Sequence, residues 1–386
     1  MKKLLFFLSF IAILLSSCQH ERMLPVEITS IPLEWNQMTR YKAWTIFEDA
    51  NGIYFMAKEH ETDSLQLYKE ANNGFTLHRM IEIPHSYIDT MKDEMNSDKF
   101  QLVPVNQDTL IIFTRHTISL LDLRNGAMLK HYSYNHDSDL IVIVDRAGPL
   151  RWNTERKVLP VMIVRFDEAE NDWDWDTEFA AEFSLETGKL NILPITYPRE
   201  RCYTNYILSG LRPDPMITYG NGKYLLGFQS SPTMFVYDIR SGKKDSICVK
   251  NPMYKPYPDY YDTLKLVGEA AYLQQMMRSA ICDFYFTELM YDPYKSVCYR
   301  FFLRDLPEKD KNGKTNEFVD KEIGFSVIDN GLKVVGDAHW QMKEASSSAW
   351  YATSKGIYGF THGCIGEKCT NKRMGNIIRI NWKIPK

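Results

Sequence analysis

Apolar and polar residues alternate over short runs along this chain, and the runs come in pairs around Gly- or Asn-containing turns. "TISLLDLRNGAMLKHYSY" is one such pair, and "SLQLYKEANNGFTLHRMIEI", "FAAEFSLETGKLNILPI", "TMFVYDIRSGKKDSICV" and "IGFSVIDNGLKVVGDA" restate it. A period of two predicts half-buried strands, and a central glycine predicts tight hairpins whose turn needs positive φ. The turn glycines Gly74, Gly126, Gly188, Gly242 and Gly331 are separated by 52, 62, 54 and 89 residues.

A second β-rich pair precedes each of these hairpins: "YKAWTIFEDANGIYFMAKE", "FQLVPVNQDTLIIFTR", "LIVIVDRAGPLRWNTERKVLPVMIVRF", "PMITYGNGKYLLGF" and "FYFTELMYDPYKSVCYRFFL". Five four-stranded units therefore run from Tyr41 to about Trp340. A sixth, "AWYATSKGIYGFTH" with "NIIRINWKI", supplies only three strands, and "LPVEITSIPLEW" (Leu24 to Trp35) stands spare at the other end. Pairing the two closes a ring and hides an open edge. The pattern predicts an all-β, six-bladed β-propeller over 24–386. One short helical insertion interrupts it near 262–279, where Leu266, Ala270, Leu273 and Met277 recur at three- and four-residue steps.

The N-terminus carries a different signal. Lys2 and Lys3 precede an apolar run from Leu4 to Leu15 that ends in Leu15-Ser16-Ser17-Cys18. A basic start, a short apolar stretch and small residues before a cut describe a secretory signal. A cysteine after Leu-Ser-Ser resembles the lipobox of bacterial lipoproteins, so residues 1–17 are expected to be removed, Cys18 lipidated and 18–23 to form a linker. Several acyl chains on one cysteine give stable anchoring. Gln19 stands where an inner-membrane retention aspartate would, which points to the outer membrane with either face open.

Composition fits an exported folded body: 44% hydrophobic, 13% aromatic and a formal charge of -3. No basic face is evident for nucleic acid, and no cofactor motif occurs. Export permits disulfides. Cys364 and Cys369, in "GCIGEKCTN", are near enough to staple one loop, with zinc as the alternative. Cys202, Cys248, Cys282 and Cys298 are as readily buried thiols as bridges.

The leader, the six degenerate blades and the tract "YDPYKSVCYRFFL" together resemble the TolB-like six-bladed propeller lipoproteins of unknown function that abound in gut anaerobes, with Tyr291, Asp292, Tyr299 and Arg300 at matching positions. The chain lacks the regular Gly-His and Trp-Asp pairs of WD-type propellers. The resemblance implies a fold and no activity.

Function is therefore sought where the blades differ. The third-to-fourth turns are all short, whereas "DEAENDWDWDTE", "YPRERCYTNYILSGLRPD", "NPMYKPYPDYY", "RDLPEKDKNGKTNEFVDK" and "HGCIGEKCTNKRMG" lie on the opposite face. Long loops in a compact fold are usually functional or disordered. In the first, Asp172, Asp174 and Asp176 alternate with Trp173 and Trp175. That is a solvated acidic loop, an aromatic patch for a sugar or peptide, or a metal site; Thr177 and Phe183 stand where an EF-hand needs Gly and Glu. Arg199, Arg201 and Tyr203 can grip a carboxylate or phosphate, or pair with the acidic loop. Tyr254, Tyr257, Tyr260 and Tyr261 interleave with prolines and either present rings outward or cover a blade edge. Arg115, His116, Arg165 and His362 end second strands on the same face, where they converge on a polar site or are simply solvated.

No nucleophile elbow, zinc-protease helix or phosphate loop occurs. The sequence favours a lipid-anchored binding or scaffolding module for a glycan, peptide or envelope protein on the long-loop face. The alternative is a polysaccharide hydrolase or lyase using the same face.

Overall fold

The structure is a computed structural model. It describes residues 22–33, 41–59, 64–72, 74–83, 100–114, 117–133, 140–143, 148–167, 172–174, 177–196, 215–229, 231–249, 251, 274, 278–345, 347, 349–361 and 376–384.

Six small antiparallel sheets form a ring of blades. Blade 1 holds β2 (Tyr41–Asp49), β3 (Gly52–Glu59), β4 (Ser64–Ala71) and β5 (Gly74–Glu82). Blade 2 holds β6 (Phe100–Asn106), β7 (Thr109–Thr114), β8 (Thr117–Asp122) and β9 (Ala127–Ser133). Blade 3 holds β10 (Leu140–Ile143), β11 (Val158–Asp167), β13 (Ala180–Ser184) and β14 (Leu190–Ile192), with a short β12 (Asp172–Asp174) on β11. Blade 4 holds β15 (Pro215–Gly220), β16 (Lys223–Phe228), β17 (Ser231–Asp238) and β18 (Lys244–Cys248). Blade 5 holds β19 (Tyr285–Asp292), β20 (Val297–Leu303), β21 (Glu322–Asp329) and β22 (Val334–Gln341). Blade 6 holds β23 (Trp350–Thr353), β24 (Gly356–Thr361) and β25 (Asn376–Trp382), and β1 (Val26–Ile31) is its outermost strand.

The closure is therefore the one the spare strand predicts. β1 pairs with β25 from Val26↔Trp382 to Ile31↔Ile377. The same segment also bridges the neighbouring blades, through Met23↔Asp337 on blade 5 and Leu33↔Phe75 on blade 1. Gly74 is required at the second bridge, because a Cβ there would run into the Pro32 carbonyl.

Apolar packing lies between blades rather than within them. Each junction has its own cluster, such as Tyr54, Met56, Leu110 and Ile112 between blades 1 and 2, or Phe301, Phe325, Trp340 and Trp350 between blades 5 and 6. Burying each such side chain stabilises by about 1.5–3 kcal/mol, so a missing blade face would expose a full cluster. Leu24 joins the cluster between blades 5 and 6, while Ile31 and Leu33 join the one between blades 6 and 1. The terminal segment thus seals two junctions.

Three local expectations change. Gly126, Gly188 and Gly242 take positive φ as expected, but in blade 5 it is Leu332, at φ 64, rather than Gly331. There Asp329 accepts from the Leu332 and Lys333 N–H groups, which moves the left-handed residue one place along. The acidic excursion of blade 3 is in part a ribbon, since Asp172–Asp174 pairs with Arg165–Asp167. Of the expected helix near 262–279, Gln274 is helical and 278–282 continues the helix beyond Ser279; 262–273 and 275–277 lie outside the described residues.

Candidate functional site

In a propeller the first strand of each blade lines the axis, and the first-to-second connection returns at one mouth of the channel. Five of these connections are short, at 50–51, 107–108, 221–222, 293–296 and 354–355. Blade 3 instead inserts 144–157 between β10 and β11. Its described part, from Gly148, turns inward. The Leu150 N–H donates to Gln101 Oε1 of blade 2 at 2.7 Å, and Gln101 Nε2 donates to the Gly148 carbonyl at 3.4 Å.

Arg151 then reaches across the axis to blades 5 and 6. Its Nη1 donates to Leu289 O at 3.2 Å and Pro149 O at 3.3 Å; its Nη2 donates to Trp350 O at 2.7 Å and to Glu288 Oε1. The four Nη hydrogens thus have four acceptors. Glu288, 2% exposed, accepts the Trp350 N–H through Oε2 at 3.1 Å. Burial pushes the Glu288 carboxyl up to about 7, against the opposing pull of Arg151 and the Trp350 N–H. The segment around Arg151 lies across the channel and ties blade 3 to the inner strands of three other blades.

Beside this crossing a cavity of about 400 Å³ opens among the first-to-second turns. Aromatic rings form much of its wall: Phe47, Trp152, Tyr219, Tyr294 and Tyr351. Two carboxylates line it as well. Tyr219 donates its hydroxyl to Glu155 Oε2 at 2.9 Å, and Glu48 accepts both the N–H and the hydroxyl of Ser354 at 2.6 Å. Tyr294 is hydrogen-bonded to Glu48, so two Tyr–Glu pairs flank the mouth. Burial first, then the neighbouring carboxylate, pushes both tyrosine hydroxyls up, keeping them neutral donors. Among the described residues Arg151 is the one cation in the lining, and it faces Glu288.

The cavity is on the short-turn face, opposite the long loops singled out in the sequence. Trp173 and Asp174 lie in β12 and Arg165 in β11, with Arg165 opposite Asp174 in the ladder; their side chains are outside the description. Trp175, Arg199, Arg201, Tyr254, Tyr257, Arg115 and His362 lie outside the described residues, as do Cys18, Cys202, Cys364 and Cys369. Cys248, Cys282 and Cys298 are free thiols, and of these only Cys298 is buried. Among the described residues no group of three or more His, Cys, Asp or Glu is placed to hold a metal ion. No helix among them is long and apolar enough to cross a membrane.

One long-loop element is described in full, and it is internally braced. Lys321, at the end of the 304–321 connection, donates to the carbonyls of Ala280, Ile281 and Asp283, closing the C-terminal end of the 278–282 helix. Burial pulls its ammonium down to about 8.

The tract "YDPYKSVCYRFFL" proves to be structural. Asp292 is fully buried and holds the Tyr294 and Lys295 N–H groups in the turn, while Tyr299 donates to Asp292 Oδ2 at 2.9 Å and accepts from Trp382 Nε1 of blade 6 at 2.8 Å. Arg300 is fully buried, lies over the Phe286 ring at 3.6 Å and donates to the carbonyls of Phe228, Ser231 and Pro232 in blade 4. Tyr291 fills the space that makes Gly220 a glycine, since a Cβ there would meet its ring. The motif therefore locks blade 5 to blades 4 and 6 beside the cavity.

The pocket residues carried two signals in the sequence, the length of the blade 3 connection relative to its five counterparts and the start of the tract "YDPYKSVCYRFFL", whose Tyr291, Pro293 and Tyr294 line the cavity. The other blades contribute short runs that no one motif unites.

A family model described as "Domain of unknown function (DUF4221)" matches residues 163–339. No match was found among curated proteins. Among solved structures, a DUF4221 member from Bacteroides vulgatus is 15% identical with a TM-score of 0.67, covering 95% of this chain and 100% of its own. A Bacteroides fragilis structure described as a "Putative exported protein" is 9% identical with a TM-score of 0.51, covering 93% of this chain and 95% of its own. Over residues 163–339 the chain is similar to the DUF4221 family, whose function is unknown, and its likeness to these solved structures supports the six-bladed propeller fold.

Proposed function

We propose that this protein is a lipid-anchored envelope module that binds a small polar ligand, a glycan fragment in the first instance, in the channel-mouth cavity. The observation that carries the reading is the cavity itself: about 400 Å³, lined by six aromatic residues among those described, with the Arg151–Glu288 crossing beside it. Pockets of this size, mostly apolar with a few placed polar groups, are the usual form of small-ligand sites. Aromatic faces with adjacent carboxylate acceptors suit the apolar face and hydroxyl edge of a sugar ring. A long-loop surface for a peptide or envelope protein remains compatible with this reading, since the two sites occupy opposite faces.

The anchor bears on how the cavity is presented. β1 begins at Val26, opposite Trp382, and Lys295 of the blade 5 first-to-second turn lies over the Trp382 ring at 4.6 Å. The chain thus enters the ring on the cavity's face. Arg22 to Leu24 are held on blade 5, and Cys18 precedes Arg22 by four residues, a tether that spans at most about 14 Å when fully extended. A lipidated Cys18 would hold the cavity mouth toward the outer membrane and turn the long loops away from it.

The test is a glycan and peptide panel screened against the mature domain by ligand-observed NMR, repeated with Tyr219→Ala and Trp152→Ala. Binding lost in both variants supports the reading. Binding that survives both and disappears on trimming the 168–176 or 197–214 loops moves the site to the opposite face. Release of sugars that Glu48→Gln or Glu155→Gln abolishes would make the protein a hydrolase or lyase instead.

A further inference from the structure

We infer that the cavity selects ligands bearing an amine or other cationic group, with Glu48 and Glu155 as the specificity-determining residues. The inference rests on the channel-mouth reading above and adds the charge class of the ligand.

Among the described residues three ionisable charges line the cavity: Glu48, Glu155 and Arg151. The Nη hydrogens of Arg151 are all engaged, by Glu288 Oε1 and by the carbonyls of Trp350, Leu289 and Pro149. The two other charges are both negative. Each holds donors on one side, Ser354 and Tyr294 at Glu48 and Tyr219 at Glu155. A carboxylate has about four lone-pair positions, so acceptor capacity remains at both.

Arg240 is a cation close to Glu155, with its Nη2 4.0 Å from Glu155 Oε1 and its side chain 85% exposed. So exposed a pair contributes little and is screened by salt. A ligand ammonium inside a walled cavity competes well against it. The rings agree in sign, because the faces of Trp152, Tyr219, Tyr294 and Tyr351 carry negative quadrupole density and attract cations. The guanidinium of Arg151 already lies over Tyr351 at 5.9 Å, so that ring's face accepts a cation within the protein itself. A carboxylate or phosphate ligand would meet two like charges and no free donor cation.

The experiment uses three hexoses of one shape and different charge, namely glucosamine, glucose and glucuronate, titrated into the mature domain and followed by NMR shifts of the protein. Glucosamine is expected to bind at least tenfold more tightly than glucose and glucuronate not at all. Glu48→Gln and Glu155→Gln should each cost glucosamine about tenfold and glucose far less, while Arg240→Ala should tighten glucosamine. Melting curves of each variant separate lost binding from lost folding. Glucuronate binding as tightly as glucosamine, or Gln variants that weaken both sugars equally, would overturn the charge inference and leave the cavity reading standing. Absence of shifts with all three, or shifts that survive Trp152→Ala, would overturn the cavity reading and the charge inference with it.

Discussion

Glu288 gives the sharpest test of how this ring is held together. Its carboxyl is buried against β23, accepts from Arg151 and from the Trp350 N–H, and titrates near 7 rather than the usual 4.5. Desolvation outweighs the ion pair at this site, as it commonly does when a charge leaves water. A displacement of roughly 2.5 units at about 1.4 kcal/mol each amounts to about 3 kcal/mol between the protonated and ionised forms.

The sign follows from linkage. A carboxyl whose folded pKa is raised binds more protons in the folded state, so its contribution is full below about 4.5 and is lost as pH rises through about 7. Other carboxylates also titrate, so the useful quantity is the stability gap between the wild type and Glu288→Gln, which cannot ionise. Glutamine loses one acceptor, so the gap is positive where the wild type is protonated. Urea unfolding followed by tryptophan fluorescence at pH 5, 6, 7 and 8 should show that gap narrowing by about 2–3 kcal/mol toward pH 8. A gap that widens with pH would mean that Arg151 depresses the carboxyl. The burial argument would then be refuted.

Other consequences are simpler to check. Arg300→Lys keeps the charge but cannot reach three carbonyls in a planar fork, so it should lower stability by about 3 kcal/mol in the same denaturation assay and shift the blade 4 signals in amide spectra. Leu332→Gly relieves a left-handed leucine and should raise stability by about 0.5–1 kcal/mol; a loss instead would show that the half-buried Leu332 side chain, which packs on the blade 4–5 cluster, matters more than its backbone. Cys298 is buried, with its thiol pushed up to about 12, whereas Cys248 is exposed. Peptide mapping after alkylation of the native protein at pH 8 should therefore find Cys248 modified and Cys298 untouched.

The sequence made the scaffold legible because repetition enforces it. Every blade must bury two faces against its neighbours, so strand alternation and short hairpin turns recur at each step, and the unpaired strand at Leu24 to Trp35 has one open edge to fill. Where a side chain replaces the expected glycine the pattern slips, as at Leu332, because the Asp329 carboxylate and carbonyl organise that turn without it. The tract around Tyr291 to Arg300 stood out for the same reason, as dense packing between blades requires large, specific side chains, and its first residues, Tyr291, Pro293 and Tyr294, also line the cavity.

The cavity was harder to read because the inner strands of a ring each supply a few residues, and neighbouring contributions lie some fifty residues or more apart in the chain. Loop length was the signal sought, and comparing the two faces as wholes sends attention to the longer one. Comparison within one face is more discriminating. Five first-to-second connections have two to four residues and the sixth has fourteen, so the sixth must either leave the disc or enter it. "GPLRWNTE" does the latter, since Gly148 at φ 87 turns the chain against Glu288 and Leu150, Arg151 and Trp152 follow it into the axis. A connection that carries an arginine into a protein's centre needs a buried counter-charge, and Glu288 on the inner strand of blade 5 supplies it. That pairing engages the one cation that lines the cavity among the described residues, which leaves Glu48 and Glu155 to set the charge of whatever enters.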